Sequence, residues 1–150
     1  MDMRALFRFE KLDVWQAARR LNRRIYRVTK TFPIAERFAL ISQIRRASIS
    51  VSSNIAEGSG RNSDRDFAHF LEVAYGSLME VASQLYLAFD EEYLGEADLN
   101  DLLEEIRVEA AQLGALNRSL LVSGSKVAVR QPSTFAPGPS TPRHRPSTSP

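Results

Sequence analysis

Cysteine is absent from this chain, which excludes a disulfide and any thiolate metal site and agrees with a reducing compartment. Long apolar runs are absent as well. Nothing approaches the roughly 18 uninterrupted apolar residues of a membrane span, and the opening MDMRALFRFEKL lacks the apolar core of a secretion signal. A cytoplasmic protein with no membrane partner is the expectation. Histidine is scarce, occurring only at His69 and His144. Asp66-x-x-His69 is half of the paired Glu-x-x-His pattern that holds two metal ions inside helical bundles, and no second half exists. Ser50, Ser52 and Ser53 have no histidine or lysine base at a neighbouring helical position, so nucleophilic catalysis has no support. Neither enzymatic activity nor a cofactor or metal is expected. Gly58-Ser59-Gly60-Arg61 could cradle a phosphate through backbone N–H groups, but two glycines between helices are ordinarily a tight turn.

Proline is nearly missing from the first four fifths of the chain. Six of the seven prolines lie beyond residue 123, together with many Ser and Thr residues, so residues 123–150 are expected to form a disordered basic tail. Charge is also unevenly placed. Residues 1–50 carry 12 Lys/Arg against 4 Asp/Glu, residues 51–118 carry 4 against 14, and residues 119–150 carry 4 against none, within a net charge of +2. That asymmetry points either to internal pairing or to a polyanionic partner.

What is present is helical periodicity. A chain of 150 residues, 43% apolar, can build one domain with a real core. Residues 1–8 have no clear period and are expected to fray, leaving residues 9–122 as the folded unit. Val14, Ala18, Leu21, Ile25, Val28 and Phe32 recur in a heptad pattern that predicts a helix over residues 11–31. Phe32-Pro33 ends it, and Pro33 suits the first turn of a second helix. This one has Glu36 near its start and Gly58 as its terminator. Ser63, with Asp66 three residues on, predicts the capped start of a third helix over residues 64–90. Its stripe is Phe67, Leu71, Ala74, Leu78, Val81, Leu85 and Ala88. Asp98 caps a fourth helix ending near Val122. Its stripe is Leu99, Leu103, Ile106, Ala110, Leu113, Asn117 and Leu120, backed by Asp101, Glu104, Glu105 and Glu109. Four such helices joined by short loops predict an all-α fold, an antiparallel up-down-up-down four-helix bundle with left-handed crossings.

The stretch 43–58, QIRRASISVSSNIAEG, organises the rest. Gln43, Arg46, Ser50, Ser53, Asn54 and Glu57 fall within about 100° of arc, while Leu40, Ile44, Ala47, Val51 and Ile55 occupy another face. The polar side is either an exposed ligand surface or a hydrogen-bonded seam against another helix. Small residues favour the seam: Ala47, Ser48, Ser50, Ser52, Ser53 and Ala56, with Gly76 and Ser77 of the third helix, permit close approach. Gln43, Asn54 and Glu80 could then bond across it.

This run, with Phe9-Glu-Lys-Leu-Asp-Val-Trp15 before it and Ala74-Tyr-Gly-Ser-Leu-Met-Glu80 after it, resembles the four-helix-bundle family of 23S rRNA intervening-sequence proteins. That family is similar to the accessory variability determinant of diversity-generating retroelements. The likeness covers residues 8–121, including the motif positions Gln43, Arg46, Ser50, Asn54, Glu57, Gly58, Ser77 and Glu80. It implies a small bacterial protein of antiparallel bundle fold, assembling as a homopentamer and carrying no enzymatic activity. The retroelement relatives bind nucleic acid and a reverse transcriptase. Two departures stand out: Glu92, where the family tends to have glycine before a tyrosine, and everything after Val122.

Two surfaces carry the functional expectations. Arg19, Arg20, Arg23, Arg24, Arg27 and Lys30 lie opposite the apolar stripe of the first helix, with no acidic residue between Asp13 and Glu36 to neutralise them along the helix. They are either solvated or paired with the acidic fourth helix, or they track the phosphates of RNA or DNA without reading bases. Phe38, Ile49, Tyr75, Met79 and Tyr86 form apolar ridges beyond what a monomeric bundle must bury, and are the expected subunit interface. The alternative to nucleic-acid binding is a protein-protein adaptor.

Overall fold

The computed structural model describes residues 6–128, with side chains through residue 124. Its helices are α1 (Asp13–Thr29), α2 (Leu40–Ser59), α3 (Asp64–Asp90) and α4 (Glu96–Ala128), with short 3-10 turns at Arg8–Lys11 and Ile34–Glu36. No strand occurs among the described residues. Each helix packs on the next, and α1 closes against α4. Contacts between successive helices run in opposite sequence order. Thr29 late in α1 meets Arg45 early in α2, Ser50 meets Ser77, and Ala68 early in α3 meets Asn117 late in α4. Among the described residues no helix is long and apolar enough to cross a membrane.

One apolar core fills the space between the four helices. The predicted stripe of α3 is buried throughout, and that of α1 is buried except at half-exposed Val28. On α4 the predicted stripe is only part of the buried surface. Leu99, Ile106, Leu113 and Leu120 are buried, but so are Leu102 and Glu109. A second heptad register, Leu102, Ile106, Glu109, Leu113, Leu116 and Leu120, overlaps the first, and its Leu102 and Glu109 line grooves shared with α1. Glu109 therefore lies inside, where an outward acidic face was expected.

The start of α2 also differs from expectation. Pro33 opens the short turn Ile34–Glu36, the backbone breaks at Ala39 (φ −115, ψ −108), and α2 begins only at Leu40. The cause is Glu36, whose Oε2 accepts the Leu40 N–H at 3.1 Å while its Oε1 accepts the Tyr93 hydroxyl at 3.2 Å. Glu36 thus caps α2 from outside the helix. Gly58 is not the terminator of α2, which continues to Ser59. A Cβ at Gly58 would stand 2.6 Å from Phe70 Cβ and 2.8 Å from Phe67 Cδ2, so glycine there lets α3 come close.

α3 opens as predicted, with Ser63 Oγ accepting the Asp66 N–H at 3.1 Å. It closes in a Schellman turn: Tyr93 N–H bonds Ala88 O and Glu92 N–H bonds Phe89 O, both at 2.9 Å. The turn places Glu92 at φ 61, in the left-handed region that favours glycine. α4 begins at Glu96, leaving Asp98 in its first turn and not at its cap. It runs past Val122 to Ala128, the last described residue. Residues 1–5 and the remainder of the expected tail lie outside the described residues.

Candidate nucleic-acid interface

The basic face of α1 is divided by its neighbours. Arg24 stands closest to the α4 flank, and its Nη1 donates to Glu105 Oε2 at 2.6 Å. Arg20 lies in the same α1–α4 groove, lined also by Asp101, Glu104, Glu105 and Glu109. Arg24 is compensated from within the chain, whereas Arg20 faces these acids with no direct ion pair among the described residues. Arg19, Arg23, Arg27 and Lys30 are exposed, and no carboxylate pairs with them among the described residues. Arg19 lies over the Trp15 ring at 5.7 Å, and Trp15 packs on Phe9 at 4.7 Å, holding the start of α1 to the preceding turn. The outward cations therefore sit on a helix whose start is anchored to the preceding turn by aromatic packing.

Glu109 is the most unusual group near this face. It is only 1% exposed, and neither carboxyl oxygen has a hydrogen-bond partner. Burial, reinforced by the Glu105 charge and opposed by Arg20, pushes its carboxyl up to about 8. At neutral pH it is thus held mainly as the uncharged acid. It was hidden from sequence reasoning among the other acids of α4, and its heptad position was the available signal.

The polar stripe of α2 separates into two parts. Ser50 and Ser77 share a hydroxyl hydrogen bond of 2.8 Å, and Asn54 Nδ2 donates to Ser50 O at 2.8 Å and to Ser50 Oγ at 3.0 Å. This is a short seam between α2 and α3. Gln43, Arg46, Glu57 and Glu80 are exposed; Glu57 pairs with Arg61 at 2.8 Å and Glu80 accepts from Gln84 at 3.2 Å, each within its own helical neighbourhood. Gly76 faces open space, so the close approach is made at Gly58 instead.

The expected interface residues fall on two sides of the bundle. Tyr75 lines a groove between α3 and α4 with Leu113 and Gly114, and Met79 and Tyr86 continue the exposed ridge along α3. Phe38 and Ile49 lie on the opposite α1–α2 side, beside Tyr26 and three arginines, Arg37, Arg45 and Arg46. Arg37 and Arg45 were not singled out in the sequence, because their nearness to Tyr26 depends on how α2 crosses α1. Asp66 and His69 are both exposed, and among the described residues no cluster of three or more His, Cys, Asp or Glu side chains could hold a metal ion.

Four helices around one apolar core, with cations gathered on an outer helix and a small-residue seam between α2 and α3, define a helical protein whose distinctive chemistry is on its surface. The chain belongs to the 23S rRNA-intervening sequence protein family, whose model matches residues 10–115. No curated protein matches it.

Proposed function

We propose that this protein is a non-enzymatic homo-oligomer that binds RNA or another nucleic acid electrostatically through the outward cations of α1. The observation that carries this reading is the exposed set Arg19, Arg23, Arg27 and Lys30, which has no carboxylate partner among the described residues. Such a set neutralises phosphates without discriminating bases, and repetition around an oligomer multiplies its effect. The family resemblance supports a homopentamer. The ridge Tyr75, Met79 and Tyr86 supplies exposed apolar surface for contact between copies. That same ridge favours a second reading, a protein-protein adaptor whose cations serve solubility.

The full nuclease-treated chain, its mass first fixed by light scattering, is titrated with RNA over a salt series beside Arg23/Arg27/Lys30→Gln. Each phosphate contact contributes ~0.7 to 0.9 to the log-log salt slope, so the variant is expected to lose about 2 to 3 from its magnitude. Equal slopes would remove α1 as the binding face, and no binding at low salt would favour the adaptor. In the same light-scattering measurement Met79→Glu is expected to dissociate the oligomer; an unchanged mass would clear the α3 ridge of that role.

A further inference from the structure

Between the end of α1 and the first turns of α2 lies an open groove of about 460 Å³. Its apolar surface comes from Phe38, Tyr26 and Ile49, its charge from Arg37, Arg45 and Arg46, and no carboxylate lines it. Phe38 is 87% exposed, with the Arg37 guanidinium 5.4 Å from its ring centroid. Arg45 lies 4.5 Å over the Tyr26 ring and is held there by its Nε donating to Thr29 Oγ1 at 2.9 Å. The floor of the groove is therefore a fixed aromatic–guanidinium stack, and its rim is a ring left open to water.

That combination selects among ligands. Fixed cations alone would suit any polyanion, and an open ring alone would suit any apolar side chain. The two together fit a ligand that is planar and anionic at once, which describes a nucleotide whose base is not already stacked. A duplex keeps its base faces inside its own stack, and an acidic peptide brings charge without a plane. The groove is also continuous with the cations of α1: Arg23 and Lys30, three residues before and four after Tyr26, are its neighbours on the helix surface.

We infer that the α1–α2 groove is a stacking subsite in which Phe38 receives an unpaired base while Arg37 and Arg46 hold the flanking phosphates, making single-stranded nucleic acid the preferred ligand. The inference rests on the proposed binding at α1 and adds a base-dependent contribution to a charge-driven one. It also takes Phe38 and Ile49 out of the subunit contact and leaves that role to the ridge of α3.

The test measures fluorescence anisotropy of the full chain with a 12-nucleotide oligouridylate and with an abasic strand of equal length and charge, each on the order of one site size. Wild type, Phe38→Ala and Phe38→Trp are compared, and light scattering follows the mass of each. Wild type is expected to prefer the base-bearing strand by about 5- to 150-fold, the range for one aromatic stack. Phe38→Ala loses that margin with its abasic affinity unchanged, and Phe38→Trp retains it. Equal affinity of wild type for both strands overturns the subsite and leaves binding at α1 standing, whereas failure of both strands to bind overturns the two together. A fall in mass on Phe38→Ala would show the groove to be a contact between copies, and the inference would fail.

Discussion

A carboxyl group without a hydrogen-bond partner, closed between α1 and α4, makes Glu109 the residue whose charge state matters most to this fold. In the unfolded chain it ionises near the ordinary value of 4.5, and in the folded protein only at about 8. Between those values the unfolded state binds fewer protons than the folded one, so this residue lowers stability as pH rises and the loss is complete only above 8. Glu109→Gln keeps the shape and removes the titration. Urea unfolding at pH 5 and pH 8 is expected to show the wild type losing on the order of a few kcal/mol more than the variant across that interval. Parallel pH profiles would show that the carboxyl reaches solvent or a cation. The sequence places this acid among Asp101, Glu104 and Glu105, and only its membership of the second heptad register of α4 distinguishes it. The cations of α1 were legible as a face, but their division was not. Compensation of Arg24 by Glu105 depends on which side of α1 meets α4.

Among the elements, the pair α2–α3 is held at its closest by a missing side chain. The atoms that a Cβ at Gly58 would meet belong to the ring of Phe67 and the Cβ of Phe70, neither of which is the far end of a flexible chain. Gly58→Ala is therefore expected to destabilise by about 1 to 3 kcal/mol, as overpacked cores do. Gly76, with nothing within 4 Å of an added Cβ, is the control: Gly76→Ala is expected to gain roughly 0.5 to 1 kcal/mol from helix propensity. Denaturant midpoints of the two variants that move in the same direction would contradict the contact. The helices themselves were legible wherever local pattern determines them: the α3 stripe is buried throughout and its Ser63 cap forms. The start of α2 was not, because Glu36 is held by Tyr93, 57 residues away in sequence, and no local signal reports that bond. Glu92 holds a left-handed backbone that glycine suits better, a strain that only the turn geometry after α3 reveals.

For the molecule as a whole, binary patterning was enough to indicate four helices and one core, since every helix must bury a stripe. It could not say which exposed residues share a side. Phe38 and Tyr75 read alike as surplus apolar residues, yet one lies between α1 and α2 and the other between α3 and α4. That distinction arises only once the helices have neighbours. The neighbours are unequally matched. α2 and α3 share the most extensive contact, while α1 and α4 share the least, and the ion pair that joins these two, Arg24 with Glu105, spans 81 residues of chain. Opening the molecule should thus begin along α1–α4, with α2 and α3 remaining as a hairpin. In hydrogen exchange, the amides of α2 and α3 are expected to be protected up to global unfolding and those of α1 to exchange earlier, whereas uniform protection would mean a single cooperative unit. The helix bearing the outward arginines would then be the most readily released part of the bundle, and a polyanion that prefers it released would loosen the protein as it binds.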